Sequence, residues 1–305
     1  MSKRLMSLSP SQISELNSRE LLEAIALCEG RVMASETVCS VEPLLNDISN
    51  AELAAAMSAD ILILNMFDVD KPLAKGLPDH PEEETIRLLK KLTGRIIGIN
   101  LEPVEPGTGD ETLWAMTKGR MATAENALKA KAMGVDIIVI TGNPGNKVTN
   151  EAICTSLKEI KAAAGDDLIL ICGKMHASGS LKEAGENIIR KEEIRDFMEA
   201  GADIILLPAP GTVPGITMEY IHELVSYVHS FGRLTLTSIG TSQEGSDQET
   251  IKQIALMCKM SGTDIHHIGD SGYVGMALPE NIMAYSIAIR GVRHTYHKMG
   301  QSINR

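Results

Sequence analysis

Short apolar runs and stretches of helical period alternate along the whole chain, and the apolar runs resemble one another. Four of them open on a small residue, one spacer and an aspartate: Ser58-Ala-Asp-Ile-Leu-Ile-Leu-Asn65, Gly134-Val-Asp-Ile-Ile-Val-Ile-Thr141, Gly201-Ala-Asp-Ile-Ile-Leu-Leu-Pro208 and Gly262-Thr-Asp-Ile-His-His-Ile-Gly269. Short β-branched runs of this kind predict strands buried on both faces. A second series lies between them: Gly30-Arg-Val-Met-Ala34, Gly94-Arg-Ile-Ile-Gly-Ile99, Asp167-Leu-Ile-Leu-Ile-Cys172 and Gly232-Arg-Leu-Thr-Leu-Thr237. Interleaved, the two series give eight strands at the spacing of βα units. Helical period fills the gaps at 50–57, 82–92, 122–133, 150–164, 192–200, 217–230, 247–260 and 279–290, the last with Pro279 at an N1-like position. The alternation predicts an α/β fold, a (β/α)8 TIM barrel with parallel strands inside and helices outside. An extra N-terminal helix at about 11–27 is expected to cover the barrel bottom. The chain then reads as one TIM-barrel domain: a helical cap at 1–29, the barrel at 30–290 and a C-terminal tail at 291–305.

Composition fits that architecture. The length of 305 residues is ordinary for such a barrel with additions. The chain is 44% hydrophobic but only 3% aromatic, so its core must be aliphatic. The formal net charge of -11 is the wrong sign for a nucleic-acid binder, and no basic stripe with interleaved aromatics stands against it. The five cysteines, at 28, 39, 154, 172 and 258, have neither zinc-site nor disulfide-framework spacing. Free thiols in a reducing compartment are expected. The first residues carry no apolar signal region, and no segment is apolar enough to span a bilayer. These features predict a cytoplasmic protein with neither nucleic acid nor membrane as partner. A homo-oligomer acting on a small anionic metabolite is expected.

The repeat also sorts the charges. Arg31, Arg95 and Arg233 open odd strands, while Asp60, Asp136, Asp203 and Asp264 open even ones. All fall at the N-terminal face, where a ring of ion pairs closing the barrel bottom is expected, because barrel active sites lie at the other face.

The strand C-termini carry the candidate chemistry. They hold Glu36, Asn65, Asp68 and Asp70, Asn100 and Glu102, Thr141 and Asn143, Lys174 and His176, Ser238, and His266 and His267. Side chains two apart share a strand face, so Asn100 goes with Glu102 and Lys174 with His176. If that face looks inward, Lys174 lies in the barrel mouth as an electrostatic clamp, an amine nucleophile or an ion-paired rim residue. Glu36, Asp68 and Glu102 could hold Mg²⁺ through oxygen ligands. His176 and His267 are candidate general acids or bases, whereas His266 should face away from His267 and pack. Barrels often bind phosphate on backbone amides after strands seven and eight. Here those loops are Gly240-Thr241-Ser242 and Gly269-Asp270-Ser271-Gly272, with Glu244, Asp247 and Glu249 close by in opposition. The segment Pro208 to Gly215 is a lid with glycine hinges or a rigid connector.

Seven strings carry a family resemblance: Gly98-Ile-Asn-Leu-Glu-Pro103, Thr123-Ala-Glu-Asn126, Thr141-Gly-Asn-Pro144, Gly173-Lys-Met-His176, Ala209-Pro-Gly-Thr-Val-Pro-Gly215, Ile239-Gly-Thr-Ser-Gln-Glu-Gly245 and His266-His-Ile-Gly-Asp270. Over nearly the whole chain they resemble an uncharacterised bacterial TIM-barrel family, whose members are labelled haloacid-dehalogenase-like hydrolase or phosphoenolpyruvate phosphonomutase-like. Under the first label Asp68-Val-Asp70-Lys resembles a DxDx(T/V) nucleophile motif, with Thr141, Lys174 and Gly269-Asp270 following in order. Position 72 is proline, however, and two further strand–helix repeats separate Lys174 from Asp270. The second label implies a barrel holding Mg²⁺ on carboxylates and acting on oxyacids; Cys172-Gly-Lys-Met-His176 resembles that group's KxCGH-like loop in composition but not in order.

The expected function is a lyase or isomerase working through an enolate on a small phosphorylated or carboxylated metabolite. Glu102 or His176 would move protons, and Lys174, with Mg²⁺ as an optional cofactor, would stabilise the enolate oxygen. A dehalogenase-like phosphohydrolase and a non-catalytic metabolite-binding regulator are the alternatives.

Overall fold

In the computed structural model, which describes residues 3–104, 116–141, 148–175 and 184–305, eight parallel strands close into a barrel in chain order. The strands are β1 (Val32–Val38), β2 (Ile61–Asn65), β3 (Ile96–Leu101), β4 (Ile137–Ile140), β5 (Ile169–Gly173), β6 (Ile204–Pro208), β7 (Leu234–Ile239) and β8 (Ile265–Ile268). Alternate side chains fall into two clusters. One faces the axis and includes Val32, Ala34, Ile61, Ile63, Ile137, Val139, Ile169, Ile171 and Ile265. The other, with Met33, Leu62, Leu64, Ile138, Leu170 and Cys172, faces the helices. Both faces are apolar, as expected of parallel strands covered on each side.

Two short N-terminal helices, α1 (Pro10–Ser14) and α2 (Ser18–Ala26), stand where one was expected. Each begins with a capping box, Ser9 with Gln12 and Asn17 with Glu20. Leu5, Leu8, Ile13, Leu21 and Ile25 join the axial cluster, so this cap seals the barrel bottom. The outer ring is α3 (Asn50–Ala56), α4 (Thr85–Thr93), α5 (Ala124–Met133), α6 (Asn150–Ala164), α7 (Lys191–Ala200), α8 (Met218–Ser230), α9 (Gln248–Ser261) and α10 (Pro279–Gly300). The expected tail from 291 onward is instead helical to Gly300. The chain breaks its helical path at Gly291 and resumes, because Thr295 and Lys298 reach back into the fold: the Thr295 hydroxyl lies 2.9 Å from that of Ser286, and Lys298 Nζ lies 3.4 Å from Asp60. Among the described residues no helix is long and apolar enough to cross a membrane, and all five cysteines are free thiols.

The repeated aspartates do something more specific than form an ion-pair ring. The backbone N–H of Met33 donates to Asp60 at 2.9 Å, that of Ile97 to Asp136 at 2.9 Å, that of Leu170 to Asp203 at 3.0 Å and that of Thr235 to Asp264 at 2.8 Å. The N–H groups of Asp60, Asp136 and Asp203 donate in return to the carbonyls of Met33, Ile97 and Leu170. Each carboxylate therefore clamps the odd strand beside it at a fixed register. The small residue two positions earlier is equally local in purpose: Gly134, Gly201 and Gly262 end α5, α7 and α9 in the left-handed region, and Ser58 has φ 86° at the equivalent place.

The arginines disperse. Arg233 approaches Asp203 at 3.5 Å, which Arg19 also meets at 2.9 Å. Arg95 instead donates to the carbonyls of Ala59, Ala55 and Lys298, and Arg31 pairs with Glu29. Asp60 is clamped in the interior between Arg290 and Lys298. Burial opposes its charge, but those cations hold its carboxyl below the usual range.

Two outcomes follow from this bottom face. Asp60→Asn strips two buried cations of their counter-ion and should cost about 3–5 kcal/mol in urea unfolding, whereas Asp136→Asn, half-buried beside Lys90, should cost about 1–3 kcal/mol. Equal losses would contradict the difference in environment. Burial also pushes the Lys298 ammonium down to about 8, against the pull of Asp60. The unfolded chain keeps that proton to about pH 10.4, so between these values the unfolded state binds more protons and the stability tied to Lys298 rises with pH. The unfolding free energy of wild type minus that of Lys298→Met should therefore climb from pH 8 to about 10, and a flat difference would contradict it.

Candidate functional site

Inward parity at the strand C-termini gathers a polar layer above the aliphatic axis. Glu36 continues the inward series of β1 after Val32 and Ala34, Ser238 that of β7 after Leu236, and His267 that of β8 after Ile265. Ser238 and His267 are direct cross-strand partners in the β7–β8 register. The Ser238 hydroxyl lies 2.7 Å from His267 Nδ1, and His267 Nε2 lies 3.2 Å from Glu36 Oε2. All three residues are 5% exposed or less. The other oxygen of Glu36 accepts from the Asn100 side-chain amide, whose own Oδ1 is buried without a partner among the described residues. With the ring neutral, the hydroxyl can donate to Nδ1 while Nε2–H faces the carboxylate; a proton gained at Nδ1 leaves an imidazolium that Glu36 balances.

The loop after β8 stands beside this layer. Asn65, at the end of β2, donates to Asp270 at 2.7 Å. Burial pushes the Asp270 carboxyl up to about 7, helped by the like charges of Glu36 and Glu244 and resisted by Asn65 and His267. Glu244 follows β7 and is 1% exposed, and burial raises its carboxyl too. Its Oε1 accepts the backbone N–H of Ser271 at 2.9 Å, and its Oε2 is buried without a partner among the described residues. One amide of the expected phosphate loop Gly269, Asp270, Ser271 and Gly272 is thus taken by the chain's own carboxylate. In the other loop, Gly240 packs near Met175, and Thr241 ties to the Thr212 carbonyl at 2.9 Å. Thr241 and Ser242 have φ of 60° and 68°. Pro208 to Gly215 is bound to its neighbours through Ala209 N–H to the Ser238 carbonyl, and Thr212 and Val213 are buried.

The remaining candidates are placed as follows. Ile169 and Ile171 set the inward phase of β5; Lys174 follows that strand directly and is buried. Its charge is felt by Glu151 at the start of α6. Met175 takes the inward place, 3.8 Å from the Ser238 hydroxyl. Glu102 pairs with Arg120 at 2.8 Å. Asp68 accepts the N–H of Asp70 at 2.8 Å in a rim turn against Gly119, and Asp70 pairs with Lys129. Among the described residues no group of three or more His, Cys, Asp or Glu is arranged to hold a metal ion. Glu36, Asp68 and Glu102 therefore do not form the expected Mg²⁺ cage, each being committed elsewhere. His176 and Asn143 lie outside the described residues. His266 packs as expected: its Nε2 donates to the Gly30 carbonyl at 3.0 Å, Tyr285 stacks edge-on, and burial lowers it to about 3. Sequence reasoning named Glu36 and His267 separately and missed both their union with Ser238 and the buried role of Glu244. The strand parity was the signal available for the first.

Comparison with known proteins agrees with the barrel. A crystal structure of 2,3-dimethylmalate lyase, described as a PEP mutase/isocitrate lyase superfamily member, superposes with TM-score 0.51 at 11% identity over 85% of this chain and 82% of that one. An archaeal fructose 1,6-bisphosphate aldolase gives TM-score 0.56 at 14% identity over 90% and 99%. The carboxyl transferase domain of Rhizobium etli pyruvate carboxylase gives 0.51 at 13% identity, over 96% of this chain and 53% of that one. At such identities these likenesses speak for the fold alone. The haloacid-dehalogenase label finds no support in that fold: the two extra repeats after Lys174 are β6–α8 and β7–α9 of the closed wall. No curated protein sequence matches the chain. Residues 6–305 match the family model described as Domain of unknown function (DUF7916), and the chain belongs to that family.

Proposed function

We propose that this barrel is an enzyme of proton-transfer chemistry, a lyase or isomerase that passes through an enolate on a small carboxylated metabolite. The observation that carries the reading is the run of contacts Ser238–His267–Glu36–Asn100, its first three members buried, at the C-terminal ends of the strands, where barrel enzymes place their chemistry. An imidazole between a hydroxyl and a carboxylate is suited to general acid–base work, because the carboxylate lowers the cost of the imidazolium formed in the transition state. Ser238 would pass the proton between substrate and Nδ1. The open acceptor of Asn100 would orient a substrate hydroxyl or enol, and Arg120, held by Glu102, supplies a cation for a substrate carboxylate. Carboxylate rather than phosphate is favoured because Glu244 already holds the Ser271 amide and brings negative charge to that loop. Among the described residues no three of His, Cys, Asp or Glu are grouped to hold a metal ion.

Deuterium uptake tests the reading. The protein is incubated in D₂O with a panel of 2-oxo and hydroxy acids, and exchange of the hydrogen α to the carbonyl is followed by proton NMR. At least one compound should exchange, and His267→Gln should slow that exchange about 10²–10⁴-fold with the fold intact by circular dichroism. Unchanged exchange in His267→Gln, or no exchange across the panel, would overturn the proposal.

A further inference from the structure

The loop after β8 and the loop after β1 border a solvent-open cavity of about 390 Å³ at the barrel mouth. Its walls include Val38, Val41, Val274 and Tyr273, and its polar floor is the hydrogen-bonded pair Asn65 and Asp270. That volume falls at the small end of the range for small-molecule sites, about 300–1,000 Å³. The lip is held firmly: the Val38 N–H donates to the Gly275 carbonyl at 2.8 Å, and the Asn50 amide donates to the Val274 carbonyl at 2.8 Å. Val274 sits at φ 42°, a conformation that costs a β-branched residue and is kept only where the surroundings impose it.

Charge defines what this cavity can take. No cationic side chain lines it among the described residues. Asp270 faces it, and Glu36 and Glu244 stand near enough to act on Asp270 electrostatically. Glu244 does not line the cavity but holds the N–H of its wall residue Ser271, and its Oε2 is buried with no hydrogen-bond partner among the described residues. An anion placed here would meet carboxylates on a low-dielectric wall, whereas a cation with hydrogens to donate would find acceptors. The valines ask for an aliphatic body behind that charge.

We infer that this cavity is the subsite for a primary ammonium group carried on a short aliphatic chain of the substrate, with Asp270 as its carboxylate partner. This rests on the reading of the mouth as the active site and deepens it: the substrate would carry an amine as well as the carboxylate and the enolisable carbon. The loops after β7 and β8, which in many barrels receive phosphate on bare amides, here present Glu244 and Asp270 in its place.

Equilibrium binding of simple probes tests the inference on the resting protein, independently of any turnover. n-Butylammonium, n-butanol, butyrate and butyl phosphate are each titrated into ¹⁵N-labelled protein at pH 8. n-Butylammonium should give saturable shifts at the amides of Val38, Val41 and Tyr273, and should bind about tenfold or more tighter than n-butanol, with the two anions weakest. Asp270→Asn should remove most of the ammonium's advantage while leaving n-butanol within about threefold. Val41→Phe, which fills the cavity away from the charges, should abolish the shifts for both; it decides the matter if Asp270→Asn does not fold. Butyrate or butyl phosphate binding as tightly as n-butylammonium, or ammonium binding that survives Val41→Phe, would overturn the inference. Deuterium exchange through His267 can succeed while these titrations fail, so the two readings are separable.

Discussion

A carboxylate that accepts the backbone N–H of the neighbouring strand recurs at the start of β2, β4, β6 and β8, and the barrel is organised around it. At Asp60, Asp136 and Asp203 the clamp has two points, since the aspartate N–H also donates to the partner residue's carbonyl; at Asp264 the N–H meets the Thr235 hydroxyl instead. The consequence is register. In a parallel sheet buried on both faces, slipping one strand by one residue exchanges its two apolar sets at little hydrophobic cost, so hydrophobicity alone does not fix the phase. A buried amide that must meet its aspartate does. The left-handed residue two positions earlier ends the helix just in time for the aspartate to turn back, which is why a small residue, a spacer and an aspartate travel together in the sequence.

Fixed register at the bottom determines what reaches the axis at the top. With Val32 and Ile265 facing inward, so do Glu36 and His267; with Leu236 inward, so does Ser238. The polar layer is the same parity carried past the end of the aliphatic packing. It survives burial because its members satisfy one another: Glu36 has both an amide and an imidazole to face, and His267 has a hydroxyl and a carboxylate. The cavity at the rim is lined by Asp270, whose carboxyl feels the charges of Glu36 and His267.

The strands, their order and the role of the bottom face as scaffold were legible because repetition made them so. The phase of β5 was not. Ile169, Leu170, Ile171 and Cys172 are all apolar, so no alternation revealed that Met175 would stand beside Ser238. Glu244 was hidden for another reason: it lies in a polar loop and its partner is a backbone amide, which leaves no trace in side-chain chemistry. The helix beyond Gly291 was masked by a glycine that reads as a terminus, while the ion pair that recovers it joins Lys298 to an aspartate more than two hundred positions away. The three carboxylates Glu36, Asp68 and Glu102 were counted without their partners; Arg120 pairs with Glu102, and a rim turn holds Asp68.

On this reading His267 is a proton carrier held between Ser238 and Glu36. Selective ¹⁵N labelling of histidine followed by long-range ¹H–¹⁵N correlation reads each ring nitrogen directly. The account predicts that neutral His267 carries its proton on Nε2, that this proton is shifted far downfield and protected from solvent, and that Glu36→Gln moves it upfield without unfolding the barrel. A His267 ring protonated on Nδ1, or an Nε2 proton indifferent to Glu36→Gln, would contradict the account.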